Sequence, residues 1–213
     1  MAHRTIKTKS TKFSNSVEMR LRSLEALHSS AERKISRYEW LYELIIRDEH
    51  TDLYNYRFLL MWLNEQFAKM EQLKLRTQRS SESFALLFID IDRFKRINDR
   101  YGHIVGSKLL RQMGHLLQVH LPEGGFAVRY GGDEFVVVLP KFQKKKAFDV
   151  AEKIRQDIAS TPFDVAGHRV KVTVSIGIAL CPTHAATADE AIAAADRAMY
   201  AAKKSSRNAT FLA

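Results

Sequence analysis

The sequence reads FAVRYGGDEFVVVL from residue 126 to residue 139. Two runs of strand-forming residues, 126–130 and 135–139, are separated only by Gly131-Gly132-Asp133-Glu134. This spacing is typical of a β-hairpin, because glycine tolerates the positive φ angles of a short turn. The turn also carries two adjacent carboxylates, so the segment predicts both an element of the fold and a candidate site.

A second pair of acids follows the most hydrophobic segment, residues 84–91, which is predicted to be a strand. Side chains alternate along a strand, so Asp90 and Asp92 are expected to share one face. If the hairpin lies beside this strand, Asp90 converges with Asp133 or Glu134 into an all-oxygen site that suits Mg²⁺ or Mn²⁺. Taken alone, either pair is more simply explained as a solvated loop or a common turn.

The periodicity of apolar residues predicts the elements around these two pairs. They are a helix capped by Asn55 over 56–79, a helix over 106–120, a helix over 145–160, a strand over 169–180, a helix over 188–204 and a short edge strand over 209–212. Helices and strands alternate around one hairpin, which predicts an α/β (α+β) sandwich with helices covering a mixed sheet.

The N-terminal part carries a narrow apolar stripe with steps of three and four residues. Its positions are Val17, Leu21, Leu24, His28, Ala31, Ile35, Tyr38, Tyr42 and Ile45. Such a heptad pattern predicts one long helix that needs a partner. A parallel dimer is the preferred interpretation, and packing of the stripe on the globular domain is the alternative. The basic residues 1–16 are expected to be a mobile tail, because they lack the apolar centre of a secretory signal.

Composition excludes several classes of protein. The chain has 213 residues with 34 Lys+Arg and 24 Asp+Glu, and its net charge of +10 either attracts polyanions or simply keeps the surface soluble. The longest apolar stretch, 172–181, is too short for a membrane helix, and no strand has the aromatic pattern of RNA-binding sheets. The single Cys181 fits a reducing cytoplasm, and with His184 it lacks the second ligand pair of a zinc site. A cytoplasmic protein without a membrane or nucleic-acid partner is therefore expected.

Several motifs, in order, resemble the GGDEF family of diguanylate cyclases. They lie at 88–103, 129–135, 174–178 and 196–208, and a further motif is recognisable at 48–57, where His50 and Tyr56 replace the usual Leu and Arg. The resemblance covers residues 48–213, and the ordered motifs make it specific.

The resemblance implies a palm-like βααββαβ cyclase domain over 48–213, preceded by a coiled-coil or signalling helix over 17–47. Two Mg²⁺ or Mn²⁺ ions per active site would be held by Asp90, Asp133 and the Ile91 carbonyl, with support from Glu134. The family's phosphate-binding residues correspond to Lys95, Lys203 and Arg207, and Gly131-Gly132 allows close backbone approach to phosphate. His103 either contacts phosphate or has a local structural role.

The implied reaction joins two nucleoside triphosphates into a 3′,5′-cyclic dinucleotide and releases pyrophosphate. Each domain of this kind binds one nucleotide, so two domains must meet face to face. A homodimer held by the N-terminal helix supplies the second half, since a coiled coil raises the effective concentration of the partner domain.

Two positions in the motifs are predicted to select the base. Asn98 and Ser107 fall where the family reads the guanine edge, and the second position is usually aspartate. A serine hydroxyl can donate or accept, so Ser107 is expected to relax base choice. With this serine the chain resembles a hybrid promiscuous subgroup of the family, which implies use of both GTP and ATP and a mixture of cyclic GMP-AMP and cyclic di-GMP. The alternatives are a strict diguanylate cyclase, with guanine read by Asn98, and an inactive nucleotide receptor.

Overall fold

A computed structural model describes residues 27–77 and 83–213. The chain divides into two units, Met1–Ile45 and Ile46–Ala213, and the described part of the first lies in helix α1, residues 27–46. The elements that follow are β1 (Tyr54–Asn55), α2 (Tyr56–Thr77), β2 (Phe84–Ile91), α3 (Phe94–Tyr101), α4 (His103–Val119), β3 (Phe126–Gly131), β4 (Glu134–Pro140), α5 (Lys144–Ser160), β5 (Phe163–Val165), β6 (His168–Val170), β7 (Val174–Cys181), α6 (Ala188–Ser205) and β8 (Thr210–Leu212).

Strand β2 is central in a six-stranded sheet of order β1-β3-β4-β2-β7-β8. It pairs antiparallel with β4 on one side and β7 on the other, and all of its residues are buried. A strand covered on both faces is almost continuously apolar, as FALLFIDI is apart from Asp90. Strands β1 and β8 pair parallel with β3 and β7, so the predicted α/β sandwich with a mixed sheet is confirmed.

Side chains of β2 alternate between two apolar cores, as strand geometry requires. One core joins one face of β2 to α3, α4 and α5, and the other joins the opposite face to α2 and α6. The first face consists of Ala85, Leu87, Ile89 and Ile91, and the second of Phe84, Leu86 and Phe88. The strand thus fixes both helical layers relative to its own C-terminal end.

Helix α6 lies unusually close to β7. Its buried face is rich in alanine, and a Cβ added to Gly177 would lie 2.0 Å from the Ala195 carbonyl oxygen and 2.2 Å from the Met199 nitrogen. The glycine of the 174–178 motif is therefore required by helix–strand packing.

Most predicted elements are confirmed. The Asn55 side chain accepts a hydrogen bond from the Phe58 amide at 3.1 Å and caps α2 as expected. The strand over 84–91 and the hairpin are also present, and α5, α6 and β8 have bounds within one residue of those predicted.

Two predictions from periodicity are wrong. The single strand expected over 169–180 is two strands of different sheets, because residues 171–173 leave the strand conformation between β6, which pairs with β5, and β7. Ala166 and Gly167, with φ of 50° and 81°, form the turn of the small β5–β6 hairpin. The helix expected over 106–120 begins earlier, at His103, and a separate helix α3 precedes it. Gly102, with φ of 84°, changes the chain direction between the two helices.

The described part of the predicted N-terminal seam is helical and exposed. The six described seam positions all have exposed side chains in α1: His28, Ala31, Ile35, Tyr38, Tyr42 and Ile45. The remaining seam positions at 17, 21 and 24 and the predicted tail over 1–16 lie outside the described residues. Among the helices that are described, none has the length and apolarity to cross a lipid bilayer.

Arg155 forms an ion pair with Glu152 within α5 and also connects this helix to the segment after α6. The Arg155 Nε and Nη2 atoms donate to the two carboxylate oxygens of Glu152 at 2.9 and 2.8 Å, and Nη1 donates to the Asn208 side-chain oxygen at 2.8 Å. The hydrogen bonds from Arg155 are the main reason that the pKa of Glu152 falls to about 2. This pair therefore stabilises the fold only while Glu152 is ionised.

We expect Gly177→Ala to lower the free energy of unfolding by at least about 2 kcal/mol, because the added methyl group overlaps the α6 backbone. The midpoint of urea unfolding measures the effect. Gly131→Ala is the matched control, since a Cβ there meets nothing within 4 Å. An unchanged midpoint in Gly177→Ala would show that α6 can move away at little cost.

We expect Glu152→Gln to reduce stability at pH 7 by up to about 1 kcal/mol, as for a partly exposed ion pair. The folded pKa of about 2 lies below the ordinary 4.5, so the stabilisation is complete above pH 4.5 and disappears as the pH falls through 2. Urea unfolding across this window should show the variant and the wild type converging at low pH. Glu65→Gln, in an exposed pair with Lys69, should have almost no effect. A difference that persists at pH 2 would contradict the assignment.

Candidate active site

The hairpin turn lies beside the C-terminal end of β2. Asp90 is the register partner of Glu134, and the Ile91 amide donates to the Asp133 carbonyl oxygen at 3.3 Å. The structure thus meets the condition under which the sequence predicted that the two acidic segments converge.

Two side chains, those of Arg129 and Asp48, hold this turn, and the sequence analysis assigned neither of them a role. Gly132 has φ of 47°, and its carbonyl oxygen accepts a hydrogen bond from Arg129 Nε at 3.1 Å. Arg129 Nη1 also lies 3.5 Å from Asp48 Oδ1, which accepts from the Thr51 amide at 2.9 Å. Arg129 and Asp48 therefore connect the turn to the loop before β1. In the sequence, only their positions inside the 129–135 and 48–57 motifs indicated that these two residues belong to the site.

Asp90 is a buried carboxylate in acidic surroundings. Its residue is 5% exposed, and its Oδ2 atom contacts Lys203 Nζ of α6. Burial, with smaller contributions from the charges of Asp133 and Glu134, raises the pKa of Asp90 to about 6 despite Lys203. Burial also raises the pKa of Glu134, with a contribution from Asp133. Three carboxylates with one nearby ammonium group leave a local excess of negative charge, which favours binding of a cation.

The donor set suits a divalent metal chemically. The available side-chain donors of Asp90, Asp133 and Glu134 are all carboxylate oxygens, as Mg²⁺ and Mn²⁺ prefer. Across residues 27–77 and 83–213, however, no three His, Cys, Asp or Glu side chains are grouped closely enough to hold an ion. Lys203 instead contacts Asp90. Metal binding therefore requires the ammonium group of Lys203 to leave Asp90 and the carboxylates to draw together.

Asp92 has a different environment from Asp90. Its carboxylate accepts hydrogen bonds from Thr173 Oγ1 at 2.6 Å, Ser175 Oγ at 2.8 Å and the Asn208 amide at 3.0 Å. These bonds tie the end of β2 to β7 and to the segment after α6. Asp92 is therefore a structural acid, and the sequence pattern alone could not separate it from Asp90.

A cavity of about 540 Å³ lies next to the turn. Its lining includes the predicted site residues Lys95, Asn98, His103, Ser107, Gly132 and Asp133. Asn98 Oδ1 is buried, and no hydrogen-bond partner for it exists in the described structure. A Cβ on Gly106 would lie 1.9 Å from this oxygen, so the glycine makes room for the amide. The cavity therefore presents the ammonium group of Lys95, and one unsatisfied polar atom, Asn98 Oδ1, is buried beside it.

The three predicted phosphate-binding residues occupy different positions. Lys95 lines the 540 Å³ cavity, and Lys203 contacts Asp90. Arg207 lines a separate basic cavity, of about 500 Å³, with Arg93, Arg96 and Lys171. The predicted site residues thus form a cavity with Lys95, an acidic centre with Lys203, and a separate basic cavity with Arg207.

We expect Asp90→Asn and Asp92→Asn to change stability in opposite directions in metal-free buffer at pH 8. The first removes a carboxylate whose ionised form is disfavoured by burial, a gain on the order of 1–3 kcal/mol. The second leaves donors without an acceptor and should cost at least about 1 kcal/mol.

The pH dependence of the Asp90→Asn effect follows from linkage. Between pH 3.8 and about 6 the folded state binds a proton that the unfolded state releases, so the stability of the wild type falls as the pH rises through this window. The gain in Asp90→Asn should be complete above pH 6 and absent below pH 3.8, as measured by urea unfolding. A stability loss in Asp90→Asn at pH 8 would show that the contact with Lys203 outweighs burial.

Known proteins resemble this chain in sequence and in structure. The response regulator PleD of Caulobacter vibrioides is 35% identical over 169 residues, which are 78% of this chain and 36% of that protein. The diguanylate cyclase DosC of Escherichia coli is 30% identical over 206 residues, 94% of this chain and 43% of that protein. This chain therefore spans less than half the length of either relative.

Solved structures agree. The coiled coil and GGDEF domain of DgcB from Caulobacter crescentus, in complex with c-di-GMP, matches with a TM-score of 0.77 and 26% identity over 93% of this chain and 100% of that chain. The GGDEF domain of YfiN (TpbB) from Pseudomonas aeruginosa matches with a TM-score of 0.68 and 36% identity over 76% of this chain and 96% of that chain. A family model described as "Diguanylate cyclase, GGDEF domain" matches residues 45–209, and since this is most of the chain, the protein belongs to the GGDEF domain family of diguanylate cyclases.

Proposed function

We propose that this chain is a dinucleotide cyclase that condenses two nucleoside triphosphates into a 3′,5′-cyclic dinucleotide, with cyclic di-GMP among its products. The proposal rests chiefly on the position of Asp90 opposite Glu134, beside a cavity lined by Lys95, Asn98 and Ser107. The name of DosC as a diguanylate cyclase and the c-di-GMP in the DgcB structure support the same product. We place the activity in the cytoplasm, with which the single free Cys181 is compatible.

The acidic centre would hold two Mg²⁺ or Mn²⁺ ions through Asp90, Asp133 and the Ile91 carbonyl, with Glu134 in support. When bound, such ions lower the pKa of the attacking 3′-hydroxyl and neutralise phosphate charge. Burial disfavours the ionised form of Asp90 in the free protein, and a cation restores it. Lys203, which contacts Asp90 in the structure, is then free to pair with a phosphate oxygen.

Basic groups and the turn would hold the triphosphate. Lys95 is in the same cavity as Gly132, whose lack of a side chain leaves the backbone accessible to phosphate. Arg207 would reach the phosphates from the neighbouring basic cavity. In the reaction, the 3′ oxygen of one nucleotide bonds to the α-phosphorus of the other while the bond to pyrophosphate breaks.

Cyclisation needs this transfer twice, once in each direction, and thus two nucleotides facing each other. We propose that a homodimer supplies them, with one nucleotide on each catalytic domain. The exposed apolar residues of α1, among them Ile35, Tyr38 and Tyr42, support a helix–helix contact between two copies. The match to DgcB, whose structure contains a coiled coil, is consistent with this arrangement.

We further propose that base selection is relaxed. Asn98 and Ser107 line one cavity, and a serine hydroxyl accepts from guanine or donates to adenine, whereas an aspartate there would accept only. The expected products are then cyclic GMP-AMP together with cyclic di-GMP. The alternatives are a strict diguanylate cyclase and a nucleotide receptor without turnover.

The central test is incubation of the full chain with GTP, ATP or both, in Mg²⁺, with the cyclic products identified by mass. We expect cyclic di-GMP from GTP, an additional mixed product when ATP is present, and no product from Asp90→Asn. Nucleotide binding without turnover would replace the proposal with the receptor alternative. If cyclic di-GMP is the sole product from the mixture of GTP and ATP, the strict diguanylate cyclase alternative replaces relaxed base selection.

We expect Ser107→Asp to reduce the adenine-containing product by about tenfold or more relative to cyclic di-GMP, because the carboxylate meets the acceptor N1 of adenine. The product ratio from equimolar GTP and ATP measures this change. Ser160→Asp, which adds the same charge at an exposed position on α5, is the control. An unchanged ratio in Ser107→Asp would remove Ser107 from base selection.

A further inference from the structure

The cavity that contains Asn98 adjoins, at Ser107, a second cavity of about 400 Å³. His103 and Ser107 line both, so they form the boundary between them. The second cavity is also lined by His50, Ile104, Lys108 and Arg111.

Arg111 extends the row of polar side chains that begins at Asn98. Ser107 and Arg111 are four residues apart on α4 and therefore lie about 6 Å from each other on the same face of the helix. Asn98, Ser107 and Arg111 are thus arranged in order from the first cavity to the second.

The guanidinium group of Arg111 is oriented by the backbone. Its Nε atom donates to the His50 carbonyl oxygen at 3.0 Å. Because this bond uses only one edge of the planar group, Nη1 and Nη2 remain as a second pair of donors. Within the described residues, this second edge of Arg111 has no ion pair or hydrogen bond.

Guanine and adenine differ in the atoms that the second edge of Arg111 would contact. Guanine presents two neighbouring acceptors, O6 and N7, which an arginine binds in a bidentate manner. Adenine presents N7 beside the N6 amino group, which is itself a donor and repels a guanidinium N–H. When N2 and N1 of guanine lie near Asn98 and Ser107, O6 is the next group along the edge of the base.

We propose that Arg111 is a specificity-determining residue that reads O6 and N7 of guanine. The inference rests on the proposed function, since it assumes a purine nucleotide in the cavity of Asn98. Arg111 favours guanine while Ser107 tolerates adenine, so the two residues together set the base preference.

The test is calorimetric binding of α,β-methylene-GTP and α,β-methylene-ATP to the full chain in Mg²⁺. Arg111→Met should weaken binding of the guanine analogue by about tenfold and leave the adenine analogue unchanged. Lys108→Met is the matched control, because it removes one charge from the same cavity and should affect both analogues equally. A 7-deazaguanine analogue, which lacks N7 but keeps N1–H, N2 and O6, should bind the wild type more weakly than the guanine analogue does, and the two should bind Arg111→Met equally.

Equal loss of both analogues in Arg111→Met would overturn the inference, as would no loss of either. Thermal unfolding of Arg111→Met checks that the loop at His50 stays folded, and Arg111→Lys keeps the charge but removes the planar donor pair. If the wild type makes cyclic product from GTP while Arg111→Met shows no base-dependent change, only this inference fails. If the wild type neither binds these analogues nor turns over GTP, the proposed function fails and the inference with it.

Discussion

The strongest constraint on the structure is a carboxylate at the end of a strand that is buried on both faces. Strand β2 has to be apolar to fill two cores, yet Asp90 at its end is nearly as inaccessible as its neighbours. An ionised group in such a place is unfavourable unless a cation balances it. Lys203 supplies that charge in the structure, and the neighbouring turn with Asp133 and Glu134 increases the need for it. The end of β2, the hairpin turn and α6 therefore meet at this one charge.

Much of the architecture was predictable because local rules agree with the packing. The buried strand, the hairpin and the helices beyond it have clear apolar patterns, and Asn55 is a cap that sequence alone identifies. The small β5–β6 hairpin was missed because Val170 and Val172 continue the apolar pattern of β7, and only the backbone at Ala166 and Gly167 shows where the chain turns. Periodicity reports which residues are buried, and it does not report which strand they pair with.

The candidate site was predictable in its membership and less so in its arrangement. Asp90 and Asp92 look equivalent in sequence, but three donors satisfy Asp92 while burial and neighbouring acids act on Asp90. Lys203 and Arg207 are four residues apart in sequence. Arg207 lies beyond the end of α6, however, and its left-handed backbone, with φ of 58°, changes the direction of the chain. Such differences depend on contacts between distant segments, which no local pattern contains.

The division of the site between two layers has an evolutionary consequence. The acids belong to the sheet, whereas Asn98, Ser107 and Arg111 belong to α3 and α4. Exposed positions on a helix can change without disturbing the core, as long as the inward-facing side remains apolar. Under the proposed function, a lineage of such proteins can therefore alter its product by substitutions on α3 and α4, while the acidic centre at the sheet is inherited unchanged.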